Sequence, residues 1–582
     1  MKKIIYILGL LSLVFFVAFS SKKYHNLKNV NPIPLSQIEV KGELYSRIVK
    51  NFDRLEETKY QPANLFLTDK QSGNWPGDTE GRTILGLVMD AQATKREPKY
   101  LNEIIRLIPK KLNAKGYMGK IHPKGVMDEQ QFAGNGWMLR GLCEYYAWKK
   151  DKAALDIVRS IVENLFIPGK GLYKTYPIDP ITRTKNVGEA MGNIDKKMND
   201  WYLSTDIGCL FIGMDGAIQA YQYVPSENLK QIIDEMVARF LEIDLISIKA
   251  QTHATLTAMR GLLRYAEITG NKALIKEVSQ RWKLYETYGM TENYGNYNWF
   301  TRYESATEPC AIVDSYMVIS QLWMLTQNPE YLPYLDLIYY NALSHGQRQN
   351  GGFGCDKYLP SDKNSIIVHL EEAHWCCTMR GGEGLSKVAE YSYFTKGNSI
   401  YAVHLADNKA IFNLGKKSHL TIQQQTNYPF DGEVNFRISK VKNANGVKIF
   451  INALSSWADN SQVLINGKKT SFKVKDGFIE LSRNWQENDQ IKFLFTNKIR
   501  VEKVVNKYNY TNGELKVFSG PLLLGYSGEK NIQIGETMHI KQNSPMLFTD
   551  SKLNNQYTPL YHLMSSEVIK GKYKKQVIFP KN

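Results

Sequence analysis

Cysteine is scarce in this chain, with 6 in 582 residues. That scarcity excludes a disulfide framework of the kind that staples small exported domains. Cys143, Cys209 and Cys355 lie far apart in unlike settings. Long apolar runs are equally rare: after the run from Ile4 to Phe19 no comparable stretch follows, so no later segment is expected to span a membrane. The chain also lacks a Lys/Arg-rich arm and any recognised nucleic-acid-binding motif. Its formal net charge of +17 and pI near 9.2 therefore do not point to nucleic acid. An acidic polymer, an anionic membrane surface or plain solvation remain as reasons for that charge.

What is present is a globular composition, 43% hydrophobic and 23% charged, in a chain long enough for more than one domain. At the N-terminus Lys2 and Lys3 precede the apolar run, and Ser20 and Ser21 follow it before Lys22 and Lys23. This reads as a secretory signal peptide over residues 1–21, with an uncleaved anchor as the alternative. No cysteine closes the run, which argues against a lipoprotein. The expectation is an exported protein, periplasmic or secreted, with no stable membrane insertion after cleavage. The aromatic content of 12%, with 35 Tyr and 10 Trp, suits sugar stacking and a large core equally.

The remaining three cysteines carry the chemistry. Glu308-Pro309-Cys310 and the adjacent pair Cys376-Cys377 supply one carboxylate and three thiols. Zinc prefers tetrahedral S and N ligands with an occasional carboxylate oxygen, and it strips the proton from each coordinating thiol. A Zn2+ site at Glu308, Cys310, Cys376 and Cys377 is therefore expected. Two other readings compete: a vicinal disulfide at Cys376-Cys377, and a purely structural zinc. Structural sites usually chelate through C-x-x-C knuckles, whereas adjacent cysteines crowd the ligands and leave one sulfur open to substrate, which favours a site that does chemistry.

Two regimes follow one another along the chain. From about Lys41 to Lys396 helical periodicity recurs in pairs: Gly81 to Lys95 then Lys99 to Leu112, Gly136 to Lys149 then Lys152 to Leu165, and Ile207 to Tyr223 then Ser226 to Ile243. Further pairs run His253 to Thr269 then Lys272 to Tyr288, and Ala311 to Thr326 then Pro329 to Leu343, with a last helix near Gly382 to Phe394. Repeated α-hairpins of this length predict an (α/α)6 barrel over residues 22–398. After Ser399 the pattern alternates, as in Val434-Asn435-Phe436-Arg437-Ile438 and Lys448-Ile449-Phe450-Ile451, with turns at Asp431-Gly432 and Asn466-Gly467. Residues 399–582 are expected to form a β-sandwich, giving a fold that is mainly α plus β.

One loop stands out, Gly73-Asn74-Trp75-Pro76-Gly77-Asp78-Thr79-Glu80-Gly81-Arg82. Asp78 or Thr79 suits a helix N-cap. Trp75 suits stacking on a sugar, and Asp78, Glu80 and Arg82 suit binding of hydroxyl or acidic groups. Trp201 and Asp206 are weaker candidates on a similar helix approach.

These motifs together resemble glycoside hydrolase family 127, with family 146 as a relative, whose founding activity is β-L-arabinofuranosidase. The family's acid-x-C and later C-C are present as Glu308, Cys310, Cys376 and Cys377. Its G-E-x-F-G element corresponds to Thr291-Glu292-Asn293-Tyr294-Gly295, and a His-Ala at a helix start to His253-Ala254. In the β region, Thr426-Asn427-Tyr428-Pro429-Phe430-Asp431-Gly432 resembles T-x-Y-P-W-x-G, and Gly520-Pro521-Leu522-Leu523 resembles G-P-L-V. The resemblance implies a retaining exo-glycosidase. Cys376 would be the nucleophile, Glu308, Cys310 and Cys377 would complete the zinc sphere, and Glu292 would be the general acid/base. Trp75, Asp78, Glu80, His253 and Tyr294 are the candidate substrate contacts. Glu292 must begin protonated, and burial beside the thiolates is expected to favour that form.

The chain departs from the family pattern in several places. Pro309 stands where Thr is common, Thr378-Met379-Arg380 stands where Pro-Pro-Asn is common, and a His is missing from the Gly134-Asn135-Gly136-Trp137 stretch. Ligands and nucleophile survive these departures, while the sugar-recognition residues differ. With the basic charge balance, they point to an oligosaccharide substrate of acidic character from plant or algal polymers. Other readings are a lyase or dehydratase on uronate-containing oligosaccharides such as ulvan or pectin, with His253, His374 or Tyr294 as base, a 3,6-anhydro-galactosidase on carrageenan-type oligosaccharides, and a noncatalytic glycan-binding protein.

Overall fold

The computed structural model describes residues 27, 30–66, 75–183, 194–359, 365–415, 418–504 and 513–582. The signal-peptide reading of residues 1–21, and Gly73 and Asn74 of the loop, lie outside them. The helical part is built on α1 (Gly42–Leu55), α2 (Asp78–Thr94), α3 (Leu101–Leu107), α4 (Glu129–Lys149), α5 (Lys152–Ile161) and α6 (Leu210–Tyr221). It continues with α7 (Glu227–Leu241), α8 (Thr252–Thr269), α9 (Lys272–Tyr288), α10 (Pro309–Thr326), α11 (Leu332–Ile338) and α12 (Cys377–Glu390).

The even-numbered helices touch in the cyclic order α2, α4, α6, α8, α10, α12 and back to α2, which closes an inner ring. The odd-numbered helices lie outside, each against its neighbour in sequence. The sequence pattern explains the division. Outer helices carry an apolar stripe, as with Leu44, Ile48, Phe52 and Leu55 on α1, or Leu229, Ile232, Ile233, Met236 and Phe240 on α7. Inner helices such as α6 and α10 are buried on every face. They approach closely through glycine: a Cβ on Gly136 of α4 would stand 2.6 Å from the Gly213 Cα of α6. The sequence pattern left the last helix without a hairpin partner. That partner is α1, which packs on both α12 and α2 and sutures the start of the barrel to its end.

The β region has three main sheets. A seven-stranded sheet runs in the order Lys468–Thr470, Ala458–Ile465, Gln490–Asn497, Glu433–Lys442, Ser418–Thr426, Asn408–Leu414, Ile38–Val40. A six-stranded sheet runs Asn31–Pro32, Tyr393–Lys396, Ser399–Ala402, Lys448–Asn452, Phe478–Ser482, Val474–Lys475. Alternation sets which face is covered: Val434, Phe436 and Ile438 are buried while Arg437 is exposed. The Asn466-Gly467 hairpin has φ of 50° and 78°, the positive pair that a tight two-residue turn requires.

Two features differ from a single boundary at residue 399. The segment before α1 contributes strands to both sheets, because Ile38–Val40 completes the pairing of Asn408–Leu414 and Asn31–Pro32 that of Tyr393–Lys396. The chain after residue 498 forms a third sheet, Ile499–Lys503, Leu515–Ser519, Leu522–Gly525, Gln556–Pro559, Leu547–Asp550, Ile540–Ser544. This third sheet has its own apolar cluster around Val517, Leu524, Phe548, Tyr557 and Phe579. The chain then returns to the barrel, where Lys574–Gln576 pairs with Ser365–Leu370. Among the described residues no helix is long and apolar enough to cross a membrane.

Candidate metal and active centre

The inner helices begin at the same mouth of the ring, because an outer helix carries the chain back between each one and the next, and α12, the last, packs on α1. The candidate residues gather there. Cys310 lies in the first turn of α10, Cys377 opens α12, and Cys376 is the N-cap of α12. Asp78 opens α2 and His253 is the second residue of α8. Helix N-termini present free N–H groups and partial positive charge, so such a mouth favours thiolates and anions.

The four ligand atoms offered by Glu308, Cys310, Cys376 and Cys377 all lie within 4.8 Å of one another. Cys376 Sγ is 3.3 Å from Cys377 Sγ, and Cys310 Sγ is 3.6 Å from Cys377 Sγ. These are contacts of free thiols, and all six cysteines are free. Crowding pushes the thiols up. Burial foremost raises Cys310 and Cys377, and Cys376 is raised on balance by Cys377 and by burial although its hydrogen bond with Cys310 works the other way. Three thiols that resist ionising together, joined by a carboxylate at coordinating distance, fit a divalent soft-tolerant cation such as Zn2+. Cys355, which the sequence separates from this group, comes close enough to hydrogen-bond Cys377.

Glu308 is fixed from several sides. Its backbone N–H donates to Asn296 Oδ1 at 2.9 Å, Gln251 Nε2 donates to its Oε2 at 3.2 Å, and His253 Nδ1 lies 3.0 Å from its Oε1. Burial works against its charge, but His253 and Arg82 outweigh burial and hold its carboxyl below the usual range. Pro309 occupies the first helical position, where the missing N–H is one that a helix leaves unpaired, so the departure at this position costs the local structure nothing.

His253 faces Asp314 with its other nitrogen at 3.4 Å. Asp314 in turn accepts from Thr257 Oγ1 at 2.6 Å and pairs with Arg260 and Arg380. Burial opposes ionisation of Asp314, and Arg380, Arg260 and His253 together keep it well below the usual carboxylate range. His253 thus sits between a candidate ligand and an anchored carboxylate, stacked on Trp137 at 5.9 Å. The arrangement places this residue, expected to touch substrate, within hydrogen-bond reach of Glu308, where it can orient that carboxylate. Arg380, one of the departures after the cysteine pair, supplies part of that anchor.

Arg82 Nη1 donates to Cys310 Sγ at 3.1 Å and its Nη2 to Asp78 Oδ1 at 2.9 Å, with the guanidinium 4.3 Å from the Trp137 ring. The N-cap of α2 is Gly77, at φ 87°, and neither Asp78 nor Thr79 takes that position. Asp78 has its carboxyl raised by burial against the pull of Arg82. Glu80 is 1% exposed and Trp75 is half-buried. Trp201 is also buried, its Nε1 donating to Thr175 Oγ1 at 3.0 Å.

Glu292 lies on the turn before Glu308, with its Oε2 3.2 Å from Lys516 Nζ of the third sheet. Tyr294, half-buried and at φ 65°, packs 6.3 Å from Phe518 and 6.4 Å from Tyr334. Lys516 and Trp375 escaped the sequence reading, as did Gln251, Asn296, Asp314 and Arg260 around Glu308 and His253. Lys516 carries no local motif. Trp375, 46% exposed beside half-buried Cys376, is recognisable only as an aromatic next to the cysteine pair.

Comparison with known proteins bears on this geometry. Residues 240–390 match the β-L-arabinofuranosidase catalytic domain of glycoside hydrolase family 127, and residues 400–496 match the middle domain of the same family. Both matched regions are those of glycoside hydrolase family 127. A relative, the non-reducing end β-L-arabinofuranosidase of Bifidobacterium longum subsp. longum, is 22% identical over 291 residues, which are 45% of this chain and 43% of that protein. A solved family 127 β-arabinofuranosidase superposes with a TM-score of 0.70 at 16% identity, covering 96% of this chain and 98% of the other. The family 127 β-L-arabinofuranosidase of Geobacillus stearothermophilus T6 gives 0.67 at 14% identity, covering 94% and 100%. At these identities the superpositions establish the family 127 fold of helical barrel and β-rich C-terminal part.

Proposed function

We propose that this protein is a zinc-thiolate retaining glycosidase of the β-L-arabinofuranosidase type, removing terminal sugars from oligosaccharides. The observation that carries the reading is the placement of Cys376: among the four clustered residues it is the half-buried one, and it caps an inner helix at the mouth of the ring. Cys376 Sγ attacks the anomeric carbon, forming a C–S bond as the glycosidic C–O bond breaks, while Glu292 gives its proton to the departing oxygen. Glu292 then takes a proton from water, whose oxygen displaces Sγ, so two inversions return the original anomeric configuration. Zn2+ held by Glu308, Cys310, Cys376 and Cys377 would keep the thiols ionised and make Cys376 a better leaving group.

Trp375 offers an aromatic face for a sugar beside the nucleophile. Thr79 Oγ1, on the helix entered from Trp75, donates to the Trp375 carbonyl at 3.3 Å, so both tryptophans flank one rim. We further propose an anionic substrate from plant or algal material, on the net charge of +17 and the convergence of helix N-termini, and export through the N-terminal segment.

The test is incubation of the zinc-loaded protein with arabinofuranosides and with acidic algal and pectic oligosaccharides, read by mass and ultraviolet absorbance together. A released monosaccharide with the mass of one added water supports the proposal and names the sugar. New ultraviolet absorbance without added water would overturn it in favour of elimination, and binding without any product would overturn it in favour of a noncatalytic receptor.

A further inference from the structure

The turn that presents Glu292 is held by the third sheet as well as by the barrel. Asn293 Nδ2 donates to the Asn341 carbonyl at 3.0 Å. The Asn341 side chain then donates to the Pro521 carbonyl at 2.8 Å and accepts from the Leu523 N–H at 2.8 Å. The Gly520-Pro521-Leu522-Leu523 segment is thereby tied to the Glu292 turn. Lys516, on the neighbouring strand Leu515–Ser519, reaches the same turn, 3.2 Å from Glu292 Oε2 and 3.5 Å from the Glu292 carbonyl. It is 9% exposed, so its ammonium needs polar partners from the protein. The groups facing it are Glu292, the Tyr294 phenol and Glu502, with Arg500 as the other cation. Glu502 accepts from Arg500 Nε at 2.9 Å, and Glu292 is the carboxyl at ion-pair distance from Lys516.

We propose that Lys516 is the positioning residue of the catalytic acid/base: it holds Glu292 through Oε2 in the orientation that proton exchange with the glycosidic oxygen needs, and makes the third sheet a working part of the active centre. The proposal rests on the acid/base reading of Glu292 given above. It follows physically from a turn with a non-glycine residue at φ 65°, which its surroundings must hold in place, and from a cation on a separate sheet that reaches the Glu292 carboxyl and carbonyl together.

The test compares Lys516→Met, Lys516→Arg, Glu292→Gln and the double variant Glu292→Gln/Lys516→Met on the methyl and 4-nitrophenyl glycosides of the sugar identified in the panel. Lys516→Met is expected to lower kcat on the methyl glycoside about ten- to a hundredfold, the scale of a misplaced catalytic group. KM and bound zinc should stay unchanged. The pre-steady-state burst of 4-nitrophenolate, which departs without needing a proton, should keep its rate. Lys516→Arg should recover most of the loss, and the double variant should be no slower than Glu292→Gln, the non-additivity expected of two residues acting as one. Full turnover of the methyl glycoside by Lys516→Met, or losses that multiply in the double variant, would overturn the proposal. Wild-type turnover by Glu292→Gln would instead remove the acid/base reading beneath it, so the two failures are separable. Lys516→Gln, which keeps a donor without the charge, gives the same comparison where circular dichroism shows that the methionine variant does not fold.

Discussion

The two chemical halves of this centre are supported differently. Glu308, Cys310, Cys376 and Cys377 belong wholly to the ring, on the first turns of adjacent inner helices α10 and α12, backed by His253, Asp314, Arg260 and Arg380. Glu292 stands on a turn between helices and is gripped from a separate sheet with its own apolar cluster. The first half is held by helices that cannot shift without opening the barrel. The second depends on how the C-terminal part docks. Damage to the two halves should therefore be separable.

The largest effect expected is at Cys376, the proposed nucleophile. Cys376→Ser should reduce turnover by about a thousandfold or more while the circular dichroism spectrum and melting temperature stay close to wild type. Near-normal turnover would show that Cys376 does not carry the chemistry. Stripping the metal with a chelator comes next. Activity should fall to background and the melting temperature should drop, both returning with Zn2+, and titration should find one ion per chain. The burst and methyl-glycoside assays for Lys516 variants then mark the other half as separate, since zinc content should not change in them.

His253→Gln is expected to be milder. An outer partner of a ligand usually contributes about ten- to a hundredfold to metal affinity, so chelator competition should show weaker zinc binding with the fold intact. A substrate-contact role would raise KM and leave zinc affinity alone.

Acid should act on the junction between the halves. His345 Nδ1 lies 3.2 Å from the Leu560 carbonyl, and His562 Nε2 lies 3.4 Å from the His345 carbonyl. Burial foremost, then Arg348 and Lys575, bring His345 down to about 3, and burial with Arg47 and His345 holds His562 well below its ordinary value. The unfolded chain takes up protons near pH 6.5 and the folded chain does not. Stability is thus full above pH 6.5 and declines as pH falls from there toward 3, by at most about 1.4 kcal/mol per unit for each histidine. Melting temperature measured across that range should slope less in His345→Gln. The smallest effect is at the rim: Trp375→Ala should raise KM about three- to tenfold with kcat retained, the scale of one aromatic contact.

Much of this was legible in the sequence because periodicity and spacing are local. The hairpin pattern predicts the ring, although α12 begins at Cys377, ahead of the expected Gly382. That earlier start matters, because it turns Cys376 into a helix cap. The outer helix α1 was missed, and with it the element that closes the circle, since nothing within the chain's first 60 residues announces contact with residues 377–390. His253 is a candidate from sequence by its identity alone, and its distances to Glu308 and Asp314 come from the tertiary structure.

The sequence by itself determined the ligand set, the paired-helix architecture and the alternating strands, since each depends on residue type repeated or grouped over short range. Only the tertiary structure decided which of the clustered cysteines is half-buried, which carboxylate His253 can orient, and that Lys516 stands 3.2 Å from Glu292 across 224 positions of chain. Those facts arise where separate elements meet. Burial and charge pairing there depend on the neighbours that packing supplies, and no local pattern names them.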